Sequence, residues 1–301
     1  MTETKKPFHS GFVAIVGRPN VGKSTLMNAL IGEKIAIVSA RPQTTRSRLM
    51  GVLTGDGWQI VFLDTPGIHT PRSRLGEYMM QSVRDAMDGV EMLMVLLDAA
   101  NVTEADRKVA ADLTQKKTPK LLVLNKLDLV KPERVLALMG EFGSLGYDTI
   151  IPVSAKTGDG LEDLKQALAA SLPEGPQYFP DDMITDQPER QLCAELIREK
   201  ALVHLRDEVP HGIGVEMMAI NRVRDDLTEI HATIYCEREA HKGIIIGKGG
   251  AMLRTIGTEA REDIERLMCT HVDLQLWVKV RPDWRNRPED LRNLGYDSRR
   301  G

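Results

Sequence analysis

The eight residues Gly17-Arg18-Pro19-Asn20-Val21-Gly22-Lys23-Ser24 constrain this chain more than any other feature. They fit G-x-x-x-x-G-K-[ST], follow an apolar run at 12–16 and open a helical pattern at 23–31. Glycines let the main chain wrap closely around a phosphate. Successive N–H groups and the helix N-terminus then face the anion. The loop, continued to Thr25, is expected to cradle phosphates. Lys23 would reach the β- and γ-phosphates, and the Ser24 hydroxyl would ligate Mg²⁺.

The surrounding pattern supplies the fold such a loop needs. Apolar runs without alternation fall at 12–16, 60–63, 92–97 and 121–124, with a shorter one at 150–153. Runs of this kind suit parallel strands covered on both faces. Helical patterns lie between them at 23–31, 76–88, 103–116 and 132–144, and a last one at 161–171 closes the domain. The alternation predicts an α/β phosphate-loop domain with a mainly parallel sheet over residues 1–172. Residues 173–188 hold Pro173, Pro176, Pro180 and Pro188 and read as a linker with little regular structure.

Three further loops follow predicted strands. Asp64-Thr65-Pro66-Gly67 closes the run at 60–63 and leads into Ile68. A carboxylate at a strand end beside the phosphate loop can hold Mg²⁺ through water. The Gly67 N–H could then sense the γ-phosphate. Asn125-Lys126-Leu127-Asp128 follows the run at 121–124. A carboxylate such as Asp128 accepts from guanine N1–H and the 2-amino group, and adenine offers neither donor. The Lys126 stem can cover the base or ribose. In Ser154-Ala155-Lys156, after the next strand, a backbone N–H could meet guanine O6. Each loop is weak evidence singly. Together they occupy the edge where α/β sheets bind ligands.

At this point the sequence resembles the translation-factor-like GTPases, and most of all the Era branch. Pro19-Asn20 inside the phosphate loop and Asp64-Thr65-Pro66-Gly67 carry the likeness. The resemblance implies GTP and GDP as ligands, Mg²⁺-dependent hydrolysis, and switch loops at Gln43-Thr44-Thr45 and at 64–68. By the same likeness Thr45 completes the Mg²⁺ shell, with Thr44 as runner-up. Many GTPases carry a glutamine after the D-x-x-G glycine to orient water. Ile68 cannot, so intrinsic hydrolysis is expected to be slow. In related GTPases an asparagine matching Asn20 helps hold a K⁺ ion, which could replace an arginine finger.

Residues 189–301 have another rhythm, in the order α-β-β-α-α-β. Val272, Leu274, Leu276, Val278 and Val280 alternate strictly with polar positions and Trp277, the period of a half-buried strand. Gly247-Lys248-Gly249-Gly250 sits between two helices. The glycines allow a nucleic-acid backbone to approach, while Lys248, Lys242 and Arg254 offer positive charge. This resembles an α+β KH domain of the second topological type. An adjoining apolar face, Ile244 to Ile246 with Leu253 and Ile256, would meet bases or the sheet.

Charge refines this picture. The chain carries 40 basic and 43 acidic residues, for a net charge of -3. From 181 onward there are 19 basic against 23 acidic residues, so the half expected to bind RNA is the more acidic one. Aromatics make up only 4%, which argues against stacking platforms as the main device. Recognition must rest on the glycine loop, a groove and a few placed cations, which predicts a shallow salt dependence. A second basic run, Lys279, Arg281, Arg285, Arg287, Arg292, Arg299 and Arg300, is mixed with four acids.

A GTPase half followed by a KH half implies a factor that binds small-subunit rRNA near its 3′ end, not DNA, and assists 30S assembly. It also implies a monomer in the cytoplasm with peripheral, reversible inner-membrane association, for which no segment argues independently. Three other readings stand beside this. They are a tRNA-modification GTPase of the same branch, a constitutive RNA-binding adaptor with structural nucleotide, and an ATP-binding protein. Cys193, Cys236 and Cys269 make no metal-ligand spacing and read as buried thiols. No apolar run approaches the ~18 residues of a membrane span.

Overall fold

The computed structural model describes residues 7–39, 41, 43–147, 149–206 and 209–296. Arg299 and Arg300 of the second basic run lie outside the described residues. The chain forms two compact units. One holds residues up to Ala36, Thr45–His69 and Met80–Asp186. The other holds Ile37–Thr44, Thr70–Met79 and the chain from Gln187 onward.

The first unit is built on a sheet of order β2-β3-β1-β4-β5-β6. Its strands are β1 (His9–Val16), β2 (Leu49–Gly55), β3 (Trp58–Asp64), β4 (Met92–Asp98), β5 (Lys120–Asn125) and β6 (Ile150–Pro152). β2 pairs antiparallel with β3, and the other neighbours are parallel. The parallel strands read as continuous apolar runs because both faces are covered. Val13, Ile15, Met94 and Val123 turn to one face, with α1 (Lys23–Ile31) and α5 (Leu161–Ser171). Ala14, Val16, Val95 and Leu124 turn to the other, with α3 (Glu104–Thr114) and α4 (Pro132–Gly143). α2 (Arg74–Met87) follows β3, its residues up to Met79 counted with the second unit and the rest with the first.

Residues 173–186 have little regular structure, yet they are fastened to the first unit. The buried Gln59 side chain accepts from the Tyr178 and Phe179 N–H groups at 2.9 and 3.0 Å. It donates to the Phe179 carbonyl at 2.9 Å. Val52 N–H donates to the Ile184 carbonyl at 2.9 Å, and Gly175 N–H to Phe8 at 2.9 Å. The expected linker is therefore laid along the sheet's β2–β3 edge for most of its length.

The second unit has the order α6 (Glu189–His204), β7 (Gly214–Arg224), β8 (Leu227–Cys236), α7 (Glu239–Ile246), α8 (Ala251–Met268) and β9 (His271–Val280). α9 (Pro288–Asn293) follows. β7 pairs antiparallel with β8, and β8 parallel with β9. One sheet face packs on α6 and α8 through Met217, Ile230, Ile234, Ile197, Ile256 and Ile264. Along β9, Val272 to Val280 face this core in alternation. Cys193 and Cys236 are buried, but Cys269 is exposed. It caps the C-terminus of α8 in a left-handed conformation, where the chain turns out toward solvent.

Candidate nucleotide and RNA sites

β1 ends at Val16 and the chain turns through Gly17 to Gly22 into α1. Gly22 has φ +100°, and a β-carbon there would collide with Asn125 Nδ2. Only glycine serves both demands. Lys23 is buried, and its Nζ donates to the Gly17 and Arg18 carbonyls at 3.3 and 3.1 Å. Burial lowers its pKa to about 8, against the opposing pull of the Asp64 charge. The ammonium thus sits folded over its own loop.

Three oxygens converge beside it. Ser24 Oγ donates to Asp64 Oδ2 at 2.6 Å and lies 2.9 Å from Thr45 Oγ1. Thr45 Oγ1 donates to the same carboxylate at 3.4 Å. Asp64 is fully buried. Burial raises its pKa, while the Lys23 charge and the two hydroxyl bonds pull it back down. Its other oxygen, Oδ1, is buried with no hydrogen-bond partner. Hard oxygen donors around an unsatisfied carboxylate fit Mg²⁺, which keeps one or two protein ligands beside phosphate oxygens and water. Thr44 does not join this cluster. Its hydroxyl donates to the Arg41 carbonyl at 2.6 Å.

The segment expected to form switch II starts at the end of β3. Thr65 is buried, and its hydroxyl donates to the Ile15 carbonyl at 2.7 Å, bracing β3 to β1. Gly67 passes so close to the phosphate loop that a β-carbon would lie 2.5 Å from Pro19 N. Ile68 N–H donates to the Gly17 carbonyl at 3.1 Å, which ties this segment directly to the Gly17–Ser24 loop. Pro66 is buried and Ile68 half-buried. Gln43 and Asn20 both hold left-handed φ values, 62° and 65°.

The loops after β5 and β6 are cross-braced. Asn125 Nδ2 donates to the Val21 carbonyl at 3.0 Å, and its Oδ1 accepts from Ala155 N–H at 3.0 Å. One buried amide thus joins the phosphate loop, the end of β5 and the loop after β6. Ser154 Oγ donates to Asp128 Oδ1 at 2.7 Å, fixing one carboxylate oxygen. Lys126 Nζ donates to the Asn20 carbonyl at 2.9 Å and pairs with Asp98 at 2.7 Å. Lys156 is exposed.

Sequence reasoning missed two partners here. Asp98, which holds Lys126, ends β4 on the same edge, and that position was its only signal. The Arg18 guanidinium pairs with Asp106 at 2.7 Å and donates to Thr103, the two residues of the capping box that starts α3. Within the expected phosphate set, the Arg18 side chain is therefore an anchor of the loop.

In the second unit, α7 ends at Ile246 and Gly247 to Gly250 form a tight turn into α8. Gly249 and Gly250 take φ values of +59° and +79°, and a β-carbon at either would meet nothing within 4 Å. The loop backbone is open to an approaching chain. Lys248 is exposed at its tip. Beside it runs a groove of about 410 Å³ floored by Leu253, Leu274 and Leu276, with Arg254 and Arg261 on its wall. Gly257 is part of the same lining, where a β-carbon would make ordinary van der Waals contact with Leu276. Ile245 and Ile256 are buried in the core and Ile244 is half-exposed, so of the apolar face only Leu253 lines the groove. Lys242 lies on α7, outside the groove lining.

Known proteins match both halves. A family model described as 50S ribosome-binding GTPase matches residues 12–126, and a KH domain model matches residues 208–285. The chain is 51% identical to GTPase Era of Alkaliphilus metalliredigens, over 96% of this chain and 99% of that one. It is 49% identical to GTPase Era of Clostridioides difficile, over 97% and 100%. A solved structure of Era with MgGDPNP and nucleotides 1506–1542 of 16S ribosomal RNA is 40% identical. It superposes with a TM-score of 0.92 over 96% of this chain and 99% of that one. A point variant of Aquifex aeolicus Era bound to GDP.AlF4- matches with the same identity, coverage and TM-score.

Proposed function

Because this chain belongs to the Era family of GTPases, we propose that it is a GTP-controlled switch that binds small-subunit rRNA near its 3′ end and assists 30S assembly. It is a Mg²⁺-dependent GTPase with a KH RNA-binding domain. The observation that carries the reading is the presence of two built sites in one chain. Four nucleotide loops share one sheet edge, and an open glycine loop borders a groove lined by leucines and arginines. The matched Era structure holds MgGDPNP and 16S nucleotides together.

In this reading, Lys23 exchanges its two loop carbonyls for β- and γ-phosphate oxygens. Ser24 and Thr45 turn their hydroxyls, and Asp64 its carboxylate, toward Mg²⁺. The metal supplies positive charge against the phosphates. Gly67, held against Pro19, presents its N–H to the γ-phosphate. Asp128 takes the guanine edge, while Ser154 keeps its carboxylate oriented. Asn125, Ala155 and Lys126 hold the base-side loops to the phosphate loop.

Ile68 leaves the attacking water without a side-chain partner at that position, which supports slow intrinsic turnover. Asn20 is the candidate K⁺ ligand. Hydrolysis is expected to run roughly tenfold faster or more in KCl than in NaCl at matched ionic strength. Equal rates in a phosphate-release assay would remove the ion from the mechanism.

RNA binding is assigned to Lys248, Gly247, Gly249, Gly250 and Arg254, with Arg261 added on the groove wall. Replacing Gly249 and Gly250 together by Asp puts side chains on two left-handed residues, which strains the turn, and carboxylates where phosphates would approach. Affinity for an RNA of the small-subunit 3′ end, read by anisotropy, should fall at least tenfold. GTP hydrolysis without RNA should stay unchanged. Undiminished RNA affinity would move the site elsewhere.

The same reading has the protein as a cytoplasmic monomer with reversible attachment to the inner membrane. Among the described residues no helix is long and apolar enough to cross a membrane, so the attachment proposed is peripheral. Crosslinking of the GTP-loaded protein to cellular RNA, with nucleotides mapped, tests the whole assignment. Enrichment at the small-subunit 3′ end is expected. Enrichment anywhere else would overturn the RNA assignment.

A further inference from the structure

The Gly67–Ile68 peptide group is held at both ends, and both holds lie within the first unit. At one end Ile68 N–H donates to the Gly17 carbonyl at 3.1 Å. At the other, His69 Nδ1 lies 2.8 Å from the Gly67 oxygen. A carbonyl oxygen only accepts, so Nδ1 carries the hydrogen and donates. The two bonds fall on the N–H and the C=O of one planar group, so together they fix its orientation.

The half-buried His69 is itself anchored. Its main-chain N–H donates to the sulfur of Met80, a buried residue of α2, at 3.4 Å. With Nδ1 engaged, the other ring nitrogen, Nε2, is buried and has no hydrogen-bond partner.

The hold matters because of what stands at position 67. Pro19 leaves no space for a β-carbon there, so the position requires glycine. Glycine has more backbone freedom than any other residue, and that freedom opposes any fixed placement of its N–H. A bond to the Gly67 carbonyl removes part of it.

We infer that His69 is a positioning residue: through the Gly67 carbonyl it restrains the glycine whose N–H meets the γ-phosphate. It acts on the main chain and is assigned no contact with the nucleotide. GDP lacks the γ-phosphate, so the restraint favours GTP over GDP. Ile68 offers no polar side chain, and the residue after it serves the site in this other way. The inference rests on the reading of Gly67 as the γ-phosphate sensor.

The test uses the full-length protein with Mg²⁺ and fluorescent GDP and GDPNP. His69→Leu should weaken GDPNP by about three- to tenfold, the contribution of one hydrogen bond, while GDP stays within about twofold. His69→Asn keeps an N–H donor on the same Cγ atom that carries Nδ1, and its GDPNP-to-GDP ratio should stay within about twofold of wild type. His69→Gln sets its amide one bond further out, near the place of Nε2, and should behave as the Leu variant does. An unchanged ratio in His69→Leu overturns the inference. So does an equal loss for both nucleotides, since that marks a merely structural role. Rescue by Gln and not by Asn also overturns it, because Nε2 would then be the acting atom. If His69→Leu does not fold, the contrast between Asn and Gln decides by the same ratio. A wild-type protein that binds GDPNP and GDP alike would instead contradict the switch reading itself, and the inference with it.

Discussion

Replacing Asp128 by asparagine lowers the affinity for GTP by roughly 10²–10⁴-fold. The carboxylate is expected to accept two hydrogen bonds from the guanine edge. Bonds to a charged group contribute about 1.5–3 kcal/mol each, and every 1.4 kcal/mol is tenfold. The amide turns a donor toward a donor, which adds an unpaired group to the loss. The fold should hold, because an asparagine oxygen still accepts from Ser154 Oγ, now 2.7 Å from the carboxylate. Isothermal titration with GTP and ATP reads the effect. Unchanged GTP affinity would mean that the base is read elsewhere, or that the ligand is not a guanine nucleotide.

Lys23→Met should lower kcat by about 10²–10³-fold, the scale of losing one donor aimed at developing negative charge. Nucleotide affinity should fall as well. Stability should fall too, for a different reason. Lys23 is buried with a pKa lowered to about 8, its bonds go to two carbonyls of its own loop, and its charge offsets the burial of Asp64. A methionine of similar length keeps the packing but leaves the Asp64 carboxyl buried without its opposite charge, so the thermal midpoint should drop. Single-turnover phosphate release and a thermal melt separate the two effects. A variant that hydrolyses GTP normally would show that the ammonium never turns outward.

The parallel strands were legible because covering both faces removes any need for polar alternation, as β1, β4 and β5 show. β2 was not legible. Its seven residues include Gly51 and Gly55, which dilute the strand pattern. Gly51 is there because a β-carbon would collide with Ile31 and Ile35. The glycine that hides the strand is thus the one that lets α1 pack on it. In the second unit the α-β-β-α-α-β order was readable from periodicity and from one glycine loop.

The site divides in the same way. The four motif loops are contiguous in sequence, so their positions could be read directly. Their bracing could not. Arg18 has the look of a phosphate ligand, yet its partner Asp106 lies 88 positions away. Asn125 works through Val21 and Ala155, 104 and 30 positions away. The acidic balance of the C-terminal half misleads only as a sum. The groove wall carries Arg254 and Arg261 against the single carboxylate of Asp273.

The central claim is that nucleotide state controls RNA binding, and one measurement addresses it most directly. Affinity for an RNA spanning the small-subunit 3′ end is measured at fixed salt with the protein loaded with GDPNP and then with GDP. The account predicts RNA binding at least fivefold tighter in the GDPNP state, and by linkage the same factor in the effect of RNA on GDPNP relative to GDP. Equal RNA affinity in the two states would contradict it.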